Sequence, residues 1–419
     1  MKYAAKAFEG KTLDTDSLAS YSCEQIKNII QKHGTRAPGS PEELEAQKDM
    51  AKELEQWADK VEIEDFTVHR QAFMGFIPFT VASAIVGTFL FIKALYIWAF
   101  VSVVIGAIPL FLEFVMYRQF IDFLFPGHTS HNVIATRKAK GETKRRIILI
   151  GHADSQYEWT LNYLLGGKGM LAVLVPAVVG LVAVGVLGLL TFLVFNYASS
   201  VPEWFTKTID ILKWCLFIFF PGYIGFLFFQ NPFKSVPGAN DNLTGCYIGM
   251  STMKAIAEAN IELENTELVV ILSGSEEAGL RGAKAYVKAH KADMQDVPTV
   301  AIGLDTFRDI KDIAVYDRDL SGTLRHNKDV KGLVREAGEN CGYHMEYASI
   351  WMGACDAAAF TQGGIMATGF AAMDPTPPRY YHTRLDNWDN LKADAIKAGI
   401  DVMLETVFMF DNELLGLYK

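Results

Sequence analysis

Apolar residues fall along this chain in three rhythms, and each predicts a different kind of element. Short apolar runs bounded by Gly and Ser, at residues 147–150 (IILI), 268–273 (LVVILS) and 300–304 (VAIGL), have the length of strands buried on both faces, as in a parallel sheet. Residues 61–68 and 132–137 read as two further strands. A helical pattern covers residues 243–259, 282–290 and 391–412, and another helix starts at Ser40 and runs through Trp57. Its start is well marked, with Ser40 as cap, Pro41 in the first turn and Glu43 three residues after the cap. The alternation of strands and helices predicts an α/β fold, a three-layer α/β/α sandwich around a mixed, largely parallel sheet.

The third rhythm is an absence of charge. Residues 71–92 carry none, Lys93 interrupts, and residues 94–112 are again uncharged; residues 169–195 and 214–233 repeat the pattern on either side of a loop holding Glu203, Lys207 and Asp210. Each stretch has about the length needed to cross ~30 Å of hydrocarbon. Four transmembrane helices are therefore expected, inserted as two hairpins (71–117 and 169–230) into one domain made of residues 1–70, 118–168 and 231–419. Tyr117, Tyr197, Trp204 and Trp214 lie near the expected ends, where amphipathic rings prefer the interface, and Pro109, Pro176 and Pro221 are tolerable inside membrane helices.

Two hairpins return the chain to its starting side each time, so all of the globular pieces share one compartment. Arg70, Arg118, Lys168 and Lys234 flank the spans on that side, against Lys93, Lys207 and Lys213 opposite, which favours a cytoplasmic domain. Residues 1–32 are polar and lack the apolar core of a cleavable signal.

Composition agrees with a multi-pass integral membrane protein. Half of the 419 residues are apolar, yet outside the two blocks the mixture is that of an ordinary globular protein. The net charge of −9, with no basic aromatic stretch, argues against nucleic acid as a partner, and the apolar blocks point to the lipid bilayer. The five cysteines are odd in number and irregularly spaced, which argues for free thiols. Spans almost devoid of ionisable groups argue against a transporter.

Chemistry enters where strands end. Residues 147–150 run into His152-Ala153-Asp154, residues 268–273 into Gly274-Ser275-Glu276-Glu277, and residues 300–304 into Asp305, while Asn240-Asp241-Asn242 and Tyr381-His382-Thr383 lie between and after. Reactive groups of open α/β sheets gather beyond the strands' carboxyl ends. Imidazoles and carboxylates in this number form the ligand set of a two-metal hydrolase.

In this order, and with Thr35-Arg36-Ala37-Pro38 and Asn132-Val133-Ile134-Ala135 ahead of them, these elements resemble the co-catalytic zinc aminopeptidases, metallopeptidase family twenty-eight, which also includes glutamate carboxypeptidases and is related to glutaminyl cyclases. The resemblance implies a zinc-exopeptidase fold and two zinc ions bridged by Asp241, one completed by His152 and Asp305 and the other by Glu277 and His382. It makes Glu276 the general base, Asp154 the residue that orients His152, and Tyr381 a hydrogen-bond donor to the oxyanion. The implied activity is aminopeptidase on a peptide substrate, with endopeptidase, carboxypeptidase, other hydrolase or glutaminyl cyclase chemistry on the same scaffold, or a non-catalytic receptor or scaffold of the same fold, as rivals. One departure stands out: where family members often have Ser or Thr followed by Asp-His, this chain has Cys355-Asp356-Ala357. His128, His131, His290, His326 and His344 fall outside the ligand pattern and read as structural or exposed.

Overall fold

The computed structural model describes residues 1–416. Nine strands pair into one mixed sheet: β1 (Lys60–Val68), β2 (His128–Arg137), β3 (Arg145–His152), β4 (Thr266–Ser273), β5 (Thr299–Phe307), β6 (Ile313–Asp319), β7 (Leu324–Arg325), β8 (Glu346–Ser349) and β9 (Met366–Ala372). Their order is β1-β2-β4-β3-β5-β9-β6-β7, with β8 beside β6. The central β4, β3, β5 and β9 are mutually parallel, while β1, β2, β6 and β7 are joined antiparallel at the flanks.

Why the apolar runs become central strands is visible in how they divide their side chains. Along β3, Ile147 and Leu149 enter one core while Ile148 and Ile150 enter the other, and β4 does the same with Leu268, Val270 and Leu272 against Val269 and Ile271. A period of two with both faces apolar is satisfied only between two layers of helices. One layer holds the helices Thr15–His33, Pro41–Leu54, Thr244–Glu258, Lys328–Cys341 and Ala393–Asp411; the other holds Arg281–His290 and Ala357–Gln362. The expected three-layer sandwich is therefore the observed one.

The strongly apolar strands lie within a few residues of their expected bounds. Elements with weaker patterns went unread: the helices Thr15–His33 and Lys328–Cys341, and strands β6 to β9. β9 is rich in Ala and Gly and has little of the β-branched character that marks a strand, so its position comes from pairing with β5 and β6.

Four helices are long and apolar enough to cross a membrane: Ala72–Ile92, Tyr96–Val115, Thr160–Tyr197 and Glu203–Leu227. The last two depart from the expected bounds. The third starts at Thr160, well before the uncharged stretch, and turns at Gly166 (φ 69°). The fourth takes up Glu203, Lys207 and Asp210, expected in a loop, because Glu203 and Lys207 (2.7 Å) and Asp210 and Lys213 (2.8 Å) pair along its exposed side. Small residues let the helices approach closely: a β-carbon on Gly188 would lie 2.9 Å from the Tyr96 carbonyl, and one on Gly222 would lie 2.9 Å from Ala177 N. The bundle's outward face is apolar, with Ile105 (63% exposed) and Ile218 (75%) on it.

Close backbone approach also sets the floor of the sheet's carboxyl edge. A β-carbon on Gly151, next to His152, would lie 2.7 Å from Cys246 N on the Thr244–Glu258 helix. Gly151→Val is expected to destabilise the domain by about 1–3 kcal/mol or more through overpacking against backbone. Thermal unfolding of the purified protein checks this, and an unchanged midpoint would refute the overpacking.

Candidate metal centre

Because β3, β4 and β5 run parallel, their carboxyl ends open along one edge, and the sequence-predicted residues meet there. His152 ends β3, Glu276 and Glu277 follow β4, and Asp305 lies near the end of β5. Asp241 comes from the loop before the Thr244–Glu258 helix and His382 from the segment after β9. Asp241 is central: Oδ1 is 3.2 Å from His152 Nε2, and Oδ2 is 2.8 Å from His382 Nε2. His382 Nε2 is also 3.2 Å from Glu277 Oε1, and Glu276 Oε2 lies 3.8 Å from His152 Nε2.

The donor atoms of His152, Asp241 and Asp305 fall within 4.8 Å of one another, as do those of Asp241, Glu277 and His382. These are the two sets the resemblance implied, sharing Asp241. Asp241 Oδ2 and Glu277 Oε1 are buried without hydrogen-bond geometry to any partner among the described residues. Buried carboxylate oxygens left open in this way, beside imidazole nitrogens, fit a pair of divalent cations.

The ligands are held by a second set of contacts. Asp154 Oδ1 and Oδ2 accept the backbone N–H groups of Glu276 (3.0 Å) and Glu277 (3.1 Å), and Oδ1 is also 3.4 Å from His152 Nδ1. Asp386 accepts from Asn240 N (2.9 Å), Asn240 Nδ2 (2.7 Å) and Asp241 N (3.0 Å). Asn242 donates to the Leu304 carbonyl (2.7 Å) and accepts from Thr306 N (3.2 Å), which ties the Asp241 loop to the Asp305 strand. Gln156 donates to Glu277 Oε2 (2.5 Å).

The fully buried Arg36 guanidinium joins two ligand loops, donating to the carbonyls of Ala153 (2.7 Å), Pro237 (2.8 Å) and Gly238 (2.9 Å). Glu43, three residues after the Ser40 cap, has a second role. Its backbone N–H does take the Ser40 cap (3.2 Å), but the carboxylate turns to Gly39 N (2.9 Å), Ser130 Oγ (2.9 Å) and Ser275 N (2.7 Å), bracing the Glu276 loop. Ser275 (φ 53°), Thr306 (φ 54°) and His382 (φ 54°) all adopt the left-handed region, a conformation that persists for such residues only when the surroundings over-determine it.

Concentrated carboxylates distort each other's titration. Burial, then the Asp241 carboxylate, pushes Asp305 up to about 7. Burial raises Glu276 well above the usual carboxylate range and raises Glu277 as well. For Asp241, burial acts upward, but the imidazoles of His382 and His152 hold it below that range. Burial would lower His382, yet Glu277 and Asp241 raise it to about 10.

Trp159 stands edge-on to His382 with centroids 4.4 Å apart, and the Tyr381 ring stacks on His382 at 3.8 Å. Sequence reasoning missed Gln156, Trp159 and Asp386, which have no motif of their own; the Arg36 stretch was noticed without a role. Tyr117, expected at a membrane interface, is instead 6% exposed and lines the site. His326 is buried between Asp319 Oδ2 (3.1 Å) and Thr361 Oγ1 (2.8 Å), and with Asp319 and Cys355 it forms a separate buried cluster of possible metal donors.

A model of peptidase family M28 matches residues 227–407, a segment that includes Asp241, Glu276, Glu277, Asp305, Tyr381 and His382 but not His152 or Asp154. The chain is also similar in structure to a glutaminyl cyclase from Bacteroides thetaiotaomicron solved with N-acetylhistamine, at 15% identity over 94% of this chain and 97% of that one, with a TM-score of 0.54. A leucine aminopeptidase precursor from the same organism gives 15%, 94%, 97% and 0.53, and a Zn-dependent exopeptidase from Parabacteroides distasonis gives 14%, 94%, 98% and 0.54. No curated protein matches the chain. At such identities the solved structures speak for the fold alone. The sandwich is therefore the fold of these zinc exopeptidases, and the family match covers the carboxy-terminal part of the chain, which carries most of the ordered motifs.

Two outcomes follow from this geometry. Asp386→Asn should weaken divalent-metal affinity by about 10- to 100-fold, the usual cost of losing a group that orients a ligand; a chelator-competition titration at wild-type affinity would deny Asp386 that role. Metal binding must also displace the proton that the metal-free protein keeps on Asp305 up to about 7, so affinity should weaken as pH falls through that value. The same titration at several pH values checks this, and a flat profile would contradict it.

Proposed function

We propose that this protein is a membrane-integrated, zinc-dependent aminopeptidase that hydrolyses the amino-terminal bond of peptides at the bilayer surface, with its catalytic domain in the cytoplasm. The reading rests above all on Asp241, whose two oxygens face different imidazoles, each accompanied by a further carboxylate. Two zinc ions held by His152, Asp305, Glu277, His382 and the shared Asp241 would supply Lewis acidity toward a carbonyl and a water.

The chain's own residues account for the rest. Glu276 stands 3.8 Å from a ligand and is not needed for the shared set, so its carboxylate is free to take the proton of the attacking water and pass it to the leaving amine. The raised affinity of Glu276 for a proton, caused first by burial, suits that exchange. Asp154 fixes both His152 and the Glu276–Glu277 backbone. Tyr381 lines the chamber and supplies a phenol donor for the oxyanion.

Membrane integration is supported by the four long apolar helices and by their outward apolar side chains, a surface far larger than a soluble monomer leaves to water. Both hairpins have their domain-side ends beside the site, and this favours apolar peptides or the amino termini of membrane proteins as substrates.

The test combines elemental analysis with a screen of amino-terminal, carboxy-terminal and cyclisable peptides, with and without chelator. Glu276→Gln should retain metal but lose about two to four orders of magnitude in turnover. Undiminished turnover would remove Glu276 as base, and cyclisation of amino-terminal Gln without hydrolysis would replace the peptidase reading with the cyclase one.

A further inference from the structure

The chamber in front of the ligands is walled partly by the first apolar hairpin. Phe73 and Met74, at the start of the Ala72–Ile92 helix, and Phe114 and Tyr117, at the end of the Tyr96–Val115 helix, line it together with Asp241, Glu276, Glu277 and Asp305. Its free volume is only about 30 Å³, room for little more than ordered water, so a substrate side chain must lie in an adjoining space. Two such spaces adjoin it: one of about 450 Å³ beyond Met352, Ala354 and Tyr381, and one behind Phe73 and Met74, a mainly apolar vestibule of about 430 Å³ walled by Ile77, Phe79, Leu227 and Phe233, with Arg70 and Gln71 also on its wall, that reaches Gln156 and Glu277.

Tyr117 is aimed inward by its backbone. It adopts φ 52°, unusual for a bulky residue, and its carbonyl accepts from the Lys284 ammonium. The ring packs on Phe73 with centroids 4.7 Å apart. The hydroxyl has no protein hydrogen-bond partner among the described residues, and a β-carbon on Gly353, across the chamber, would lie 3.9 Å from it. The phenol proton is thus free to be donated to a ligand in the chamber.

A buried ion pair locks the hairpin end to the catalytic loop. Glu113 accepts from the backbone of Phe120 (2.6 Å) and Ile121 (2.8 Å) and faces Arg281 at 3.3 Å, while Arg281 also pairs with Asp122 at 2.9 Å. Arg281 N donates to the Ser275 carbonyl (3.1 Å), and Glu276 is the next residue. The hairpin and the base are thus parts of one rigid assembly.

Resting on the peptidase reading above, we propose that the first membrane hairpin is the substrate-recognition element: the vestibule behind Met74 takes an apolar side chain adjacent to the scissile bond, and the Tyr117 hydroxyl donates a hydrogen bond to the bound peptide. The occupant follows from continuity, since Phe73, Met74, Gln156 and Glu277 belong to both the chamber and the vestibule, and from the vestibule's mainly apolar lining.

Metal-loaded, full-length protein in detergent tests this with peptides beginning in Ala, Leu or Phe, and with metal content measured for every variant. Tyr117→Phe, which keeps the ring packing, should lower kcat/KM for all three peptides by about tenfold or more at unchanged metal content. Met74→Trp, which fills the passage, should lower kcat/KM for Leu and Phe peptides by about tenfold or more while sparing the Ala peptide. Tyr117→Phe at wild-type kcat/KM, or Met74→Trp reducing all three peptides equally, would overturn the proposal. A failure of the peptidase reading itself is separate: no chelator-sensitive hydrolysis by wild type. In that case fluorescence-detected binding of the same peptides still reads the vestibule, and equal affinity for Ala and Phe peptides would overturn it.

Discussion

Four carboxylates and two imidazoles converge in a narrow buried space, and the surrounding structure is organised around the charge this leaves uncompensated. Asp241, Glu276 and Glu277 are buried, as are His152 and His382, and only Asp305 keeps partial exposure. Isolated buried carboxylates are costly enough that they protonate instead, and the upward shifts of Glu276, Glu277 and Asp305 are that response. Two dications would remove the conflict, because the orphaned oxygens of Asp241 and Glu277 would then have partners.

Such a site must be rigid before it binds anything, and the chain spends several buried polar groups on that. Asp386 fixes Asp241, Asp154 fixes the Glu276–Glu277 backbone, Glu43 braces the same loop from the other side, and Arg36 joins the His152 loop to the Asp241 loop. These contacts come from elements far apart in sequence, so the centre assembles only when the sandwich is complete. The hairpins fit the same pattern: the Glu113–Arg281 pair and Gln156, which accepts from Gln230 at 3.0 Å, connect both apolar blocks to the ligands.

What could be read from the sequence follows from how local each signal is. His152, Glu277 and Asp305 were legible because buried parallel strands write themselves as uninterrupted apolar runs, and the reactive residue comes where the run stops. Asp241 and His382 needed the ordered family pattern, since they sit in irregular segments with no periodicity. Asp386, Gln156 and Trp159 escaped because a carboxylate, an amide or an indole that orients a ligand looks like any other loop residue until the fold supplies its partner. Tyr117 was misplaced for a related reason: an aromatic at the end of an apolar stretch reads as an interface anchor, and only the left-handed turn at that residue shows the ring entering the chamber. The fourth apolar helix began earlier than its uncharged stretch because charges paired along one exposed face do not end a helix.

The proposed mechanism stands or falls with Asp241 as the bridge between two divalent ions. Metal content per chain, measured on purified wild-type and Asp241→Ala protein whose folding is verified by circular dichroism, tests it most directly. The account predicts two divalent ions in the wild type and the loss of at least one in the variant. A wild type without divalent metal, or a folded variant that keeps both ions, would contradict it.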